Sequence, residues 1–130
     1  MPHRILEYSD NLSFDSKTFF RELHESLAEM DSINMKGLKS RAVKLTDYYL
    51  ADGYEGYKMV HLNVVIREGR PRAVREEIAQ RVMAQLEKTF GHHRENGYIN
   101  LSTDMKELEV GLALVNHNIP VGGVLNENEE

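Results

Sequence analysis

Pro2 is the residue that could do acid–base chemistry most directly. It follows Met1, and removal of Met1 would leave a secondary amine at the chain terminus, where an amine has an ordinary pKa of about 7.7–8.0. Burial and neighbouring cations lower the pKa of such an amine, so a neutral Pro2 nitrogen could act as a general base. Taken alone, a Met-Pro start is more often incidental, and a retained Met1 would make this nitrogen an amide.

Two groups of cations could bind an anionic partner of that base. Lys39 and Arg41 are separated by one residue in an alternating segment, so a strand would place both on one face. Arg70 and Arg72 stand in the run Gly-Arg-Pro-Arg before a predicted helix, where backbone N–H groups and arginine forks favour carboxylates. Judged locally, solvated arginines on a strand and a turn are the commoner outcome for both groups.

Other chemistries have little support. The chain contains no cysteine, which excludes disulfides, thiolate zinc sites, iron–sulfur clusters and a cysteine nucleophile. No histidine spacing matches a zinc signature and no glycine-rich phosphate loop is present, so we expect no metal. His61 lies in a predicted strand and could be either a site residue or a hydrogen-bonded core histidine.

Composition indicates one soluble domain spanning 1–130. The formal net charge is -5, which argues against a nucleic-acid surface, and no apolar run approaches the ~20 residues of a membrane span. We therefore expect a cytoplasmic protein without nucleic-acid or membrane partners. The stretch 109–130 has four carboxylates and no Lys or Arg, and we expect it to be irregular or dependent on a partner for its structure.

The elements that must position these residues form two similar halves, 2–46 and 57–107. Apolar side chains from Phe19 to Met30 follow helical spacing, and Ser13 or Asp15 could cap that helix. The predicted fold class is α+β, with a tandem β-α-β repeat that forms a four-stranded mixed sheet with both helices on one face. Its other face needs a cover, which self-association would supply. The predicted strands are 2–9, 38–45, 57–66 and 98–105, and the second helix begins near Pro71 and ends at Gly91.

Several segments together resemble a known enzyme family. The sequence reads MPHRILEYSDNL at its start, then GLKSRAV, ADGYEGYKMVHLNVVIREGR and LSTDMKEL. These segments, in this order and spacing, resemble the 5-carboxymethyl-2-hydroxymuconate isomerase family of the tautomerase superfamily. The resemblance runs from Pro2 to about Leu108. It implies a homotrimer that uses neither a metal nor an organic cofactor.

The resemblance also implies an activity and roles for single residues. The reaction is the conversion of the dienol 5-carboxymethyl-2-hydroxymuconate to its unsaturated ketone isomer, in the catabolism of 4-hydroxyphenylacetate and homoprotocatechuate. Pro2 matches the base, and Arg41 and Arg70 match arginines that hold the small-molecule substrate's carboxylates. Lys39 stands where the family has the first of two arginines, which keeps the charge but loses the planar fork.

Two alternatives remain open at this point. Because of Lys39, the chain could be a related tautomerase that acts on another 2-hydroxy-enoic acid or on a halogenated acid. It could also be a non-catalytic trimeric interaction protein on the same fold, which would be favoured if Met1 stays attached to Pro2.

Overall fold

A computed structural model describes residues 3–122 of the chain. The predicted element order of both halves is confirmed, and the last two strands are longer than alternation indicated, because their backbone pairing continues as far as Arg67 and Leu108. The strands are β1 (His3–Ser9), β2 (Lys39–Leu45), β3 (Tyr57–Arg67) and β4 (Tyr98–Leu108), and the helices are α1 (Ser16–Ala28) and α2 (Arg72–Phe90).

The strands form one mixed sheet in the order β2-β1-β3-β4. The central strand β1 runs parallel to β2 and antiparallel to β3, while β3 and β4 are parallel. The parallel pairs are the strands joined through a helix within each half, as a β-α-β unit requires. The predicted four-stranded mixed sheet with two helices is therefore confirmed.

The core lies between one face of the sheet and the two helices. Alternate residues of β3 point into it and are fully buried, and the intervening residues are only partly buried. Each buried Leu, Ile, Val or Phe contributes roughly 1.5–3 kcal/mol relative to an exposed one. The buried apolar side chains at the centre are Leu6, Phe19, Leu23, Leu27, Val60, Leu62, Val64, Ile66, Ile78, Val82, Leu86 and Phe90.

Local signals set the ends of the helices. Of the two predicted cap residues, Asp15 is the one used: its side chain accepts hydrogen bonds from the Thr18 backbone N–H and hydroxyl. Pro71 directly precedes α2, and Gly91 ends it. Gly69 adopts a φ of +119°, which side chains rarely tolerate, so glycine is needed for the turn between β3 and α2.

The second face of the sheet, called here the open face, carries no helix. Its side chains include Lys39 and Arg41 on β2 and His61 on β3, and all three are at least partly exposed. Residues 109–122 form no helix or strand, as predicted, and their apolar side chains Val110, Leu112, Leu114, Ile119 and Val121 are 48–86% exposed. Between residues 3 and 122, neither helix has the length and apolar character to span a bilayer.

Candidate active site

The sheet register brings several cationic segments to one edge. His3 pairs with Lys39 on one side and with Val65 on the other. The edge at which β1 begins is therefore also the edge at which β2 begins and β3 ends. We call it the β1-start edge. Pro2, the predicted base, lies outside the described residues and directly precedes His3 in the chain.

A pocket of about 410 Å³ opens at the β1-start edge. Lys36 comes from the turn before β2, Arg67 from the end of β3 and Arg70 from the loop that follows. The remaining described lining residues are Ser32, Asn34, Gly37 and His117. Since this lining has three cations and no carboxylate, it favours an anion. We call it the Arg70 pocket.

The two arginines of the pocket are held by backbone carbonyls. Arg70 Nη2 donates to the Ser32 carbonyl at 3.3 Å, and Arg67 Nη2 donates to the Ala113 carbonyl at 2.5 Å. The Nε atoms of both arginines are buried without a hydrogen-bond partner among the described residues. A buried donor without an acceptor is costly, and because each Nε is inaccessible, a bound acceptor would have to use the remaining Nη donors.

The other predicted cations do not line this pocket. Lys39 and Arg41 are exposed on the open face of β2, beside His3 and Ile5 of β1. They still act on the same edge, because burial, and then the charges of Lys39 and Arg41, lower the pKa of His3. The structure thus separates the predicted substrate-binding cations into Arg70 in the pocket and Lys39 with Arg41 on the open face.

Two further candidates lie away from the pocket. Arg72 is 82% exposed and pairs with Glu76 at 2.7 Å on the surface of α2. His61 is half-buried on the open face, where its ring nitrogens contact Ser102 Oγ at 2.7 Å and Asp104 at 3.2 Å. His61 is hydrogen-bonded, as one of its two predicted readings required, but it does not belong to the core between sheet and helices.

A buried polar cluster lies beneath the β1-start edge, on the helix side of the sheet. Arg4 is 1% exposed, and its Nε donates to Ser40 Oγ at 3.3 Å. His24 Nε2 of α1 lies 2.7 Å from the same hydroxyl oxygen. Because Arg4 can only donate, the Ser40 hydroxyl proton is free to point to His24 Nε2, which assigns the ring proton of neutral His24 to Nδ1.

Burial sets the charge states of this cluster. It lowers the pKa of Arg4 to about 10, so the guanidinium remains charged at neutral pH. Burial, together with the charge of Arg4, lowers the pKa of His24 to about 4. The cluster therefore places one fixed positive charge under the strand that begins beside Pro2, with a neutral histidine next to it.

Sequence reasoning did not single out Lys36, Arg67, or the cluster of Arg4, Ser40 and His24. The available signal for Arg67 was its spacing, since it ends the β3 alternation three residues before Arg70. Residues 3–122 contain no group of His, Asp and Glu arranged to hold a metal ion.

Comparison with known families gives a consistent result. A family model described as 5-carboxymethyl-2-hydroxymuconate isomerase matches residues 2–121. The 5-carboxymethyl-2-hydroxymuconate Delta-isomerase of Escherichia coli is 27% identical over 121 residues, which cover 92% of this chain and 96% of that protein.

Solved structures agree in fold. A 5-carboxymethyl-2-hydroxymuconate isomerase from Deinococcus radiodurans R1 matches with a TM-score of 0.84 and 30% identity, covering 91% of this chain and 90% of that one. A fused 4-OT described as a wild-type symmetric trimer matches with a TM-score of 0.62 and 11% identity, over 86% of this chain and 94% of that one. The second likeness shows the fold alone.

The buried His24 predicts a loss of stability in mild acid. Its pKa is about 4 in the folded chain against 6.5 as the ordinary value, so the unfolded state binds the proton first as pH falls. The stabilisation is complete above pH 6.5 and is lost as pH falls toward 4. Urea unfolding from pH 7.5 to 4.5 is expected to show a shallower decline in the free energy of unfolding for His24→Gln than for the wild type.

The range above pH 6.5 is the internal control for this experiment, because neutral His24 then contributes no proton uptake. Carboxylates and the other histidines titrate in both proteins, so only the difference between the two profiles reports on His24. A difference that stays constant down to pH 4.5 would contradict the lowered pKa.

Proposed function

The chain belongs to the 5-carboxymethyl-2-hydroxymuconate isomerase family and is an isomerase, and from that premise we propose its substrate and mechanism. It converts 5-carboxymethyl-2-hydroxymuconate to the unsaturated ketone isomer, in the catabolism of aromatic compounds, with Pro2 as general base. The observation that carries the proposal is the cationic β1-start edge, which holds the Arg70 pocket and begins at the residue that follows Pro2.

The proposed reaction moves one proton and creates no charge overall. With Met1 removed, the Pro2 nitrogen accepts the hydroxyl proton of the dienol, and the oxygen electron pair forms the ketone carbonyl. The double bonds shift, and protonated Pro2 returns a proton to the carbon at the far end of the conjugated system. One group thus serves as base and then as acid, which is worth about 10²–10⁴-fold in rate.

The electrostatics of the edge support an unprotonated base. Burial, and after it the charges of Lys39 and Arg41, lower the pKa of His3, and we expect the same two charges to act on an amine that directly precedes His3 in the chain. Cations disfavour the protonated form of such an amine. They also stabilise the negative charge that develops on the dienolate-like transition state.

Carboxylate binding is assigned to the cations that the sequence selected. Arg70 provides a guanidinium in the pocket, while Lys39 and Arg41 project from the open face nearby. The proposed substrate has three carboxylates, so cations at more than one place on this edge are useful. They hold the dienol in one orientation, and positioning of this kind supplies a large part of many rate enhancements.

A homotrimer is part of the proposal. The open face and the apolar side chains of residues 109–122 are exposed in the single chain, and a symmetric partner would cover them. The fused 4-OT of the same fold is described as a symmetric trimer. In a trimer, Lys39 and Arg41 of one chain could serve the pocket of the next.

A related tautomerase activity on another 2-hydroxy-enoic or halogenated acid is the second candidate. Lys39 favours it, because an ammonium group binds a carboxylate as a point charge and not as a planar fork. Family membership among isomerases removes the reason to prefer a non-catalytic protein.

Replacement of Pro2 tests the proposed base. The variant Pro2→Ala is expected to lower kcat for 5-carboxymethyl-2-hydroxymuconate by about 10²-fold in an ultraviolet assay, since a differently shaped and positioned amine replaces the general base. Intact mass must first confirm that Met1 is absent in both proteins. An unchanged kcat in a folded Pro2→Ala protein would exclude the proline mechanism.

Restoring an arginine at position 39 tests the assignment of that cation. Lys39→Arg is expected to lower KM for the tricarboxylate dienol roughly threefold to tenfold, because a bidentate fork replaces a single charge. The matched control is Lys44→Arg, a lysine of the same strand whose side chain lies on the helix side of the sheet. Equal effects of the two substitutions would count against substrate contact by Lys39.

The mass of the particle in solution tests the assembly. Analytical ultracentrifugation at micromolar concentration is expected to give three times the 15.0 kDa chain mass, because burial of the open face and the apolar tail drives association. A monomer that retains full isomerase activity under the same conditions would overturn the trimer.

A further inference from the structure

We propose that Arg67 binds a substrate carboxylate in the Arg70 pocket and gives that pocket a preference for polycarboxylates. The proposal rests on the function proposed above and extends it to a residue that the sequence analysis did not select. Arg67 ends β3 directly at the β1-start edge, and it lines the pocket together with Arg70 and Lys36.

The electrostatics of the pocket favour an anion more strongly than Arg70 alone would. Three cations converge on about 410 Å³ without a carboxylate among the described lining residues. Two arginines that follow in α2 pair with glutamate: Arg72 with Glu76 and Arg75 with Glu107. Among residues 3–122, the guanidiniums of Arg67 and Arg70 donate to backbone carbonyls, so those contacts do not neutralise their charges.

The hydrogen bonds of Arg67 leave part of its fork available. A guanidinium has five N–H donors, and the Ala113 carbonyl accepts one from Nη2. Its Nε is buried without a partner among the described residues, and the same is true of Arg70 Nε, so the donors that a carboxylate can reach are the remaining Nη hydrogens. Each of the two guanidiniums, on either side of the Gly69 turn, donates from Nη2 to one backbone carbonyl and has further Nη hydrogens, and a carboxylate accepts from two N–H groups at once.

The contact with Ala113 also fixes the guanidinium before substrate arrives. Residues 109–122 are anchored a second time, where the Val110 N–H donates to Glu68 Oε1 at 3.2 Å. A side chain that is already held in position loses less conformational entropy on binding. Arg67 therefore supplies, at the β1-start edge, the planar fork that Lys39 lacks.

Direct binding of two simple acids tests the proposal without any turnover. Tricarballylate, a saturated tricarboxylate, and glutarate, a dicarboxylate, are titrated into the full-length protein by calorimetry. The wild type is expected to bind tricarballylate more tightly. Arg67→Gln is expected to lower the affinity for tricarballylate by about tenfold, as loss of a hydrogen bond to a charged group predicts. It is expected to lower the affinity for glutarate less. The tricarballylate affinity of Arg67→Lys is expected to lie between that of the wild type and that of Arg67→Gln.

Arg72→Gln is the matched control, because it removes the same charge from an exposed arginine paired with Glu76 outside the pocket. It is expected to change either affinity less than twofold. A second control, Glu68→Ala, loosens the tail without removing a pocket cation. If Glu68→Ala lowers the affinity for tricarballylate as much as Arg67→Gln does, Arg67 acts only by holding residues 109–122 in place, and the proposal is wrong.

The outcomes separate this proposal from the proposed function. Failure to turn over any dienol, with tricarballylate affinity still dependent on Arg67, would refute the isomerase substrate and leave the pocket assignment in place. Normal turnover with an unchanged KM and unchanged tricarballylate affinity in Arg67→Gln would refute the role of Arg67 alone. Absence of tricarballylate binding by the wild type would also refute the proposed role of Arg67. Should Arg67→Gln not fold, Arg67→Lys decides on the same criteria.

Discussion

The pairing of β1 with both of its neighbours is the constraint on which the site depends. Because β1 is parallel to β2 and antiparallel to β3, the starts of two strands and the end of a third meet at one edge. Lys39, Arg67 and the residue after Pro2 are distant in sequence and become neighbours only through this register. A shift of one residue would move every side chain of the strand to the opposite face.

The same arrangement gathers positive charge at the β1-start edge. Lys36, Arg67 and Arg70 line one pocket, Lys39 and Arg41 lie on the open face of β2, and like charges repel each other. The apolar core between the sheet and the helices supplies the stability that allows this. In the proposed function, a bound polycarboxylate offsets this repulsion.

The buried cluster of Arg4, Ser40 and His24 beneath the β1-start edge shows what local sequence patterns can and cannot predict. The sequence predicted β1 correctly, yet its pattern gave no reason to expect a charged arginine among the core positions, because Arg is almost never fully buried without partners. Ser40 of β2 and His24 of α1 provide such partners, and neither is near Arg4 in sequence. Local patterns therefore located the strand but not the polar contacts within the core.

The sequence by itself determined the elements, since apolar periodicity, the Asp15 cap, Gly69 and Gly91 act over a few residues. It also supplied the segments whose order and spacing resemble the isomerase family, and through them Pro2, Lys39, Arg41 and Arg70 as candidates. Only the tertiary structure decided which cations share a pocket. Arg67 and Arg70 line the same pocket, whereas Arg72 pairs with Glu76 at the surface. Lys39 and Arg41 lie on the open face. The reason is physical: local signals fix a residue's own backbone, whereas neighbours across a sheet are set by strand pairing and by the burial of one common core.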